Sequence, residues 1–207
     1  MMDSKQMQFV VDRVFPFVSG CPEATIRAVA EAAVAEYVTD IGGIHTWTNP
    51  APFTAKDGNY RLSAPFGGRV TNVRAVQVGG EVIPHDRYRI AAYGDDMLIS
   101  FSGFEGPVVH MCGDGFLWSA KISWEPTELT TMLPTEWFRR HFRAIRSGTL
   151  AKLLSMGNAW GNPQNAALFI AEHDNCVRDA LISVRMEEAP GGKPSVIGGH
   201  NPFLAGL

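Results

Sequence analysis

The periodicity of the apolar residues changes twice along the chain, and this change constrains the fold more than any other feature. From Cys21 to about Ile41 the apolar residues repeat with the spacing of a helix. From about Ile44 to Trp124, short runs rich in valine, isoleucine, tyrosine and phenylalanine alternate with turn-forming residues, which is typical of antiparallel strands. Helical spacing returns at Pro134. The sequence therefore predicts an α+β fold, a helical bundle with an inserted antiparallel β subdomain.

These changes divide the chain into three parts. Residues 1–43 and 126–189 form the helical domain, residues 44–125 form the β subdomain, and residues 190–207 form an extended tail. Glycine and proline are frequent in the tail, and they disfavour both a helix and a sheet. Apolar side chains near the end of the tail nevertheless give it an anchor for a partner. They are Phe203, Leu204 and Leu207.

The first predicted helix, CPEATIRAVAEAAVAEYVTDI, extends from Cys21 to about Ile41. Pro22 suits its first position, and the pair Gly42 and Gly43 ends it. One face of this helix is apolar. Its residues are Ile26, Ala30, Ala33 and Tyr37.

Two features predict the local structure of the β region. Gly79 and Gly80 separate two valine-rich arms, which indicates a two-residue hairpin turn. The run FLWSAKISW alternates in polarity, so we expect a strand with one buried face. The buried side is formed by Trp118, Ala120, Ile122 and Trp124, and the opposite side by Ser119, Lys121 and Ser123.

Two further helices follow, separated by a turn that contains a tryptophan. The earlier one begins at Pro134, and the later one has Asn162 as its N-cap and Pro163 as its first residue. The apolar stripe of the earlier helix consists of Trp137, Phe138, His141, Phe142 and Ile145, followed by Leu150, Leu153 and Leu154. The stripe of the later helix consists of Ala166, Ile170, Val177, Leu181 and Val184.

The composition indicates a globular domain with a weakly charged surface. Charged residues make up 19%, and the net charge of −3 gives no overall attraction to nucleic acid or acidic membranes. No run approaches the ~20 apolar residues of a membrane helix, and the first residues lack the apolar core of a signal peptide. Cys21, Cys112 and Cys176 are far apart without a C-x-x-C pair, which disfavours disulfides and a zinc site and favours a reducing compartment.

No catalytic or cofactor motif is recognisable in the sequence. Phosphate-binding loops, H-E-x-x-H, EF-hand loops and G-x-S-x-G are all missing, so we expect no catalytic residue, no cofactor and no metal. His141 and His173 lie on the apolar stripes of the last two helices, where a metal-binding pair across a helical hairpin is one interpretation. The favoured interpretation is that each is a core or interface residue with one hydrogen bond.

Arginines form the main local charge feature. Arg139, Arg143 and Arg146 recur at i, i+4 and i+7, which predicts one continuous basic face, with Arg140 alongside. A solvated face is one interpretation. The other is contact with an acidic partner subunit or with phosphates that pass nearby. Four arginines without interleaved exposed aromatics do not form a sequence-reading nucleic-acid module.

The segment AIRSGTLAKLLSMGNAWGNPQNAALF resembles the C-terminal helical hairpin of bacteriophage head-to-tail adaptor proteins, the broad family that includes the tail tubular protein A type. The first predicted helix also resembles the first helix of that family, whereas the β insertion matches only in character. The matching residues are Leu133, Pro134, His141, Ala144, Ile145, Gly148, Leu150, Ala151, Leu153, Leu154, Trp160, Asn162, Pro163, Ala166 and Ala167. We expect Gly148 to allow close helix packing and Trp160 to fill the turn.

The resemblance implies a virion structural protein without enzymatic activity. Adaptors of this type form a ring, usually of twelve copies, that joins the portal to the tail and continues the DNA channel. The implied partners are the portal protein, the tail tube or nozzle protein, other copies of the chain and, without sequence preference, the genomic DNA. No membrane is involved. The protein would lie in the neck of the virion after assembly in the host cytoplasm.

The family's C-terminal segments extend toward the portal, so the apolar end of the tail is expected to bind there, and the three arginines are expected to face a neighbouring subunit or the channel. Three other functions remain as alternatives. A tail-completion or stopper protein is disfavoured because stoppers are commonly β-dominated. A tail-associated cell-wall hydrolase would need a pair of carboxylates that has no recognisable context here. An intracellular helical binding module unrelated to phages is the third.

Overall fold

The computed structural model describes residues 4–53, 59–101 and 117–188. This part of the chain contains four α-helices and eight β-strands, and it confirms the α+β fold class. The helices are α1 (Ser4–Val14), α2 (Glu23–Asp40), α3 (Thr135–Ser155) and α4 (Pro163–Glu188). The strands are β1 (Ile44–Trp47), β2 (Ala51–Pro52), β3 (Asn59–Leu62), β4 (Arg69–Val78), β5 (Glu81–Ile83), β6 (Arg89–Tyr93), β7 (Asp96–Ser100) and β8 (Leu117–Glu125).

The strands form two antiparallel sheets. One has the order β1-β8-β4-β5, with β2 also paired to β8, and the other has the order β3-β7-β6. The predicted hairpin is confirmed, because β4 and β5 pair around Gly79 and Gly80. Both glycines have positive φ angles, 61° and 88°, which residues with a side chain adopt at a steric cost.

Strand β8 has the predicted alternation, with one difference. Trp118, Ala120, Ile122 and Trp124 are buried as expected. Ser123 is on the opposite side of the strand but is buried as well, because the Arg74 guanidinium covers it and donates a 2.7 Å hydrogen bond from Nε to its hydroxyl oxygen.

Helices and strands share one connected hydrophobic cluster. It joins α1 residues such as Met7 and α2 residues such as Ile26 to Ile122 and Trp124 of β8. The Trp124 ring lies directly on Gly68, where a Cβ atom would collide with it. The core therefore extends from the helices into the sheet without interruption.

Helix α1 was not predicted from the sequence. Its buried residues have helical spacing, and they are Met7, Val10, Val11 and Val14. The helix packs against α2 and α3. The segment that resembles the first helix of the adaptor family is therefore the second helix of this chain.

The last two helices form the predicted hairpin. Asn162 caps α4 by accepting a 3.1 Å hydrogen bond from the Asn165 amide at Oδ1, and Pro163 is the first residue of the helix, as expected. Trp160 packs against the main core, which confirms its position in the turn. The predicted stripe of α4 is wrong at Ile170, which is 46% exposed, because the helix is rotated so that Phe169 and His173 face α3 instead.

Several predicted features lie outside the described residues. They include Cys112 and the tail with Phe203, Leu204 and Leu207. Within the described ranges, Cys21 is buried and Cys176 is half-buried, and both are free thiols. No helix in these ranges has the length and hydropathy that crossing a membrane requires.

Candidate interaction surface

The two histidines of the hairpin lie at the junction of α2, α3 and α4. The buried Tyr37 hydroxyl of α2 donates a 2.7 Å hydrogen bond to Nδ1 of His141 on α3. Burial, with the nearby charge of Arg140, lowers the pKa of His141 to about 4. Burial also raises the pKa of Tyr37. Both side chains are therefore uncharged at neutral pH.

His173 connects the two helices of the hairpin. Its Nδ1 donates a 3.0 Å hydrogen bond to the Ala144 carbonyl oxygen of α3. Its ring lies against Gly148, where an added Cβ would be 2.9 Å from the imidazole. This contact confirms the expectation that Gly148 permits close packing.

We name Tyr37, Trp137, His141 and His173 the junction cluster. Their rings are in contact, with centroids 4.7 Å apart for Trp137 and His141 and 5.7 Å apart for Tyr37 and His173. The prediction that each histidine makes one hydrogen bond inside the packing is confirmed. Among the described residues no group of three potential metal ligands is present. The cluster packs three helices together.

The three arginines of α3 do not have one common environment. Arg139 pairs with Glu136 on its own helix at 3.2 Å, and Arg143 pairs with Glu172 of α4 at 2.6 Å. Arg146 is half-buried, and its guanidinium lies over the Phe17 ring at 4.8 Å. The one-sided spacing is as predicted, but each side chain has a different partner within the chain.

The stacking of Arg146 is part of a larger surface of arginines and aromatic rings. We name it the Arg–Phe surface, and it consists of Phe9, Arg13, Phe17, Phe142, Arg146 and Phe169. Phe9 contacts Phe142 at 4.8 Å between ring centroids, and Arg13 lies over Phe9 at 5.4 Å. Phe17 meets Phe169 edge to face at 5.9 Å. Because Phe142 and Arg146 are one turn apart on α3, the two halves are continuous.

Much of this surface is exposed to solvent. Phe9 is 42% exposed and Phe17 is 48% exposed, and the neighbouring Phe15 is 47% exposed. Within the described part of the chain, neither Arg13 nor Arg146 forms an ion pair with a carboxylate. Aromatic residues and arginine are enriched at protein interfaces and dominate their binding energy. The composition therefore fits a protein-binding surface.

Sequence reasoning identified only the part of this surface that lies on α3. The exposed rings belong to α1 and to the short 3-10 helix Phe15–Phe17, where no element was predicted. A usable signal was present, because Phe9, Arg13 and Phe17 recur at i, i+4 and i+8 beside the apolar residues of α1.

A second, acidic surface lies on α2. A shallow, open depression of about 510 Å³ lies on one face of this helix and is lined by Glu23, Ala24, Arg27, Ala28 and Glu31. Glu23 pairs with Arg27, whereas Glu31 forms no ion pair with any described residue, and its Oε1 is buried without a hydrogen-bond partner. We name this surface the acidic groove.

The two surfaces lie on different sides of α1. Phe9 and Arg13 face α3, whereas Gln8 faces α2, where its Oε1 accepts a 2.9 Å hydrogen bond from Arg27. Gln8 also donates a 3.0 Å hydrogen bond to Asp12, which adds a carboxylate near the groove. Three carboxylates, those of Asp12, Glu23 and Glu31, thus accompany one guanidinium there.

No model of a known protein family matches this chain, and no curated protein matches it in sequence. The resemblance to head-to-tail adaptors therefore rests on the motif residues themselves. Most of them lie in α3, α4 and the turn between these helices, where Leu150, Leu153 and Ala166 are buried.

Proposed function

We propose that this protein is a virion structural protein, an adaptor that forms a ring between the portal and the tail of a bacteriophage. The observation that carries the proposal is the α3–α4 hairpin. Its motif residues serve packing, since Gly148 receives the His173 ring and Asn162 caps α4. A subunit that transmits load between two larger assemblies needs such a rigid element.

The architecture also supports this function. Helices come first and last in the chain and strands lie between them, which is the order expected of the adaptor family. Exposed phenylalanines on the helical part and an alanine-floored groove provide surfaces for neighbouring subunits. In the proposed ring, usually of twelve copies, each subunit contacts two neighbours through two different surfaces.

The tail retains its proposed role in portal binding. Phe203, Leu204 and Leu207 would dock on the portal protein, while the β subdomain would contact the tail tube or nozzle. Of the three arginines, Arg139 and Arg143 are mostly exposed despite their ion pairs, with relative side-chain exposures of 72% and 74%. They are the ones we propose to face the channel, where genomic DNA passes.

Cosedimentation with a portal protein from the same source tests the proposal. We expect the full chain to sediment with the portal and to form a ring that is visible by electron microscopy. Removal of residues 190–207 should abolish binding while leaving the melting temperature nearly unchanged, because their glycines and prolines disfavour a core of their own. Failure of the full chain to bind, or a clear lytic band in a zymogram, would contradict the proposal.

A further inference from the structure

Two surfaces of the helical part are complementary in charge. The Arg–Phe surface presents two guanidinium groups that have no carboxylate partner among the described residues. The acidic groove presents the carboxylates of Glu23 and Glu31 beside Arg27, with Ala24 and Ala28 among them, and Asp12 adds a carboxylate nearby. At protein interfaces, aromatic anchors fill apolar pockets and positive groups meet negative ones.

One copy of the chain cannot bring these surfaces together. Gln8 and Asp12 face the side of α2, and Phe9 faces α3, so the body of α1 separates the two surfaces. The buried Met7, Val10, Val11 and Val14 hold α1 in this position against the core. The surface that matches the Arg–Phe surface must therefore come from another molecule.

We propose that the Arg–Phe surface of one copy docks on the acidic groove of the next copy. The Phe15–Phe17 segment enters the groove over Ala24 and Ala28, and Arg13 and Arg146 pair with carboxylates at its rim. Glu31, which forms no ion pair with the described residues of its own chain, supplies one of these carboxylates. The contact deepens the proposed function and rests on it, because two different surfaces on each subunit generate a ring when the rotation between neighbours closes.

Charge reversal tests this contact independently of the other contacts in the assembly. The first variant carries Arg13→Glu with Arg146→Glu, and the second carries Glu23→Lys with Glu31→Lys. Each variant alone places like charges opposite each other, so we expect its assembly on the portal to fall at least about tenfold. An equal mixture should recover the ring, because both kinds of contact in an alternating ring then join opposite charges.

The matched control is Arg178→Glu. Arg178 is exposed on α4 and belongs to neither surface. Its guanidinium donates a hydrogen bond of 3.5 Å to the side-chain oxygen of Asn175. This variant should assemble as the parent chain does. Circular dichroism and thermal melting establish that each variant is folded. If a reversed variant melts early, the neutral substitutions Arg13→Gln and Glu31→Gln test the same contact by a smaller loss of assembly.

The possible outcomes test the proposed subunit contact and the proposed adaptor function separately. If the parent chain binds the portal and both reversed variants assemble as well as the parent, the contact is wrong and the adaptor function stands. If the variants lose portal binding and the mixture does not restore it, the surface binds the portal rather than a second copy, and the contact is again wrong. If the folded parent chain neither binds the portal nor self-associates, the adaptor function itself fails.

Discussion

The junction cluster and the Arg–Phe surface lie on neighbouring faces of α3, and both combine aromatic rings with basic nitrogen atoms. In the junction cluster, burial lowers the pKa of His141 and its ring accepts a hydrogen bond from Tyr37. On the Arg–Phe surface, Arg146 keeps its charge and stacks on an exposed ring. The difference shows how burial assigns similar residues to different tasks. The buried group fixes three helices, while the exposed group is available to a partner.

The largest effect on the buried side of this comparison is expected at His141, whose pKa is lowered from 6.5 to about 4. Between these values the unfolded chain binds a proton that the folded chain excludes. This contribution to stability is complete above pH 6.5 and falls by about 3 kcal/mol as the pH drops to 4. Urea unfolding across this range measures it. His141→Asn keeps an acceptor for Tyr37 and should remove this pH dependence of stability. If the stability of both proteins falls equally as the pH drops, the effect does not come from His141.

Gly148→Ala tests how tightly the hairpin is packed. In most helices this change stabilises by up to about 1 kcal/mol. Here the new Cβ would be 2.9 Å from the His173 ring, so we expect a net loss of about 2 kcal/mol in the free energy of unfolding. Gly157→Ala, in the turn after α3, is the control for an added Cβ without a clash, because a Cβ there meets nothing within 4 Å. Equal effects of the two substitutions would mean that the helices can move apart freely.

Tyr37→Phe removes one hydroxyl from the junction cluster and leaves the shape of the ring. His141 Nδ1 then has no donor in a buried position, and we expect a loss of about 1–2 kcal/mol by denaturant unfolding. Tyr93→Phe is the control, since Tyr93 is 55% exposed and its substitution should leave stability unchanged. A loss for Tyr93→Phe as large as that for Tyr37→Phe would argue against a special role of the buried hydrogen bond.

The smallest effect on stability is expected at the Arg–Phe surface. Arg146→Gln removes a cation from a partly exposed ring, which costs less than about 1 kcal/mol. Arg13→Gln should have a similar or smaller effect, because Arg13 is exposed. Thermal melting measures both changes. A loss of several kcal/mol would place these arginines among the residues that hold the fold together.

Local patterns predicted the elements, but not how they face each other. Alternation in β8 and helical spacing in α2 and α3 identified these elements correctly, because each has a buried face with a regular period. Helix α1 was not predicted because its apolar residues form a short run, which was compared only with the apolar core of a signal peptide.

The errors in the candidate site have a different origin. The exposed Ile170 was assigned to the core because spacing alone does not fix the rotation of a helix against its neighbour. The arginines of α3 were predicted to form one face, yet Arg146 and Arg143 have partners, Phe17 and Glu172, that are distant from them in sequence. Phe9, Arg13 and Phe17 have a local spacing, but the joining of α1, α3 and α4 into one surface has none, so only the tertiary structure could reveal the whole surface.

The uninterrupted core has a consequence for how such a chain can change during evolution. The strands follow the order of an insertion, but Trp124 lies on Gly68 and belongs to the same cluster as Ile26 of α2. Exchange of this region for a foreign module would expose buried side chains of the helices, unless the new module matched their inner surface. We expect divergence instead at outward positions such as those of β6, whose five residues are all exposed. New binding partners could be accommodated there while the inward residues stay as they are.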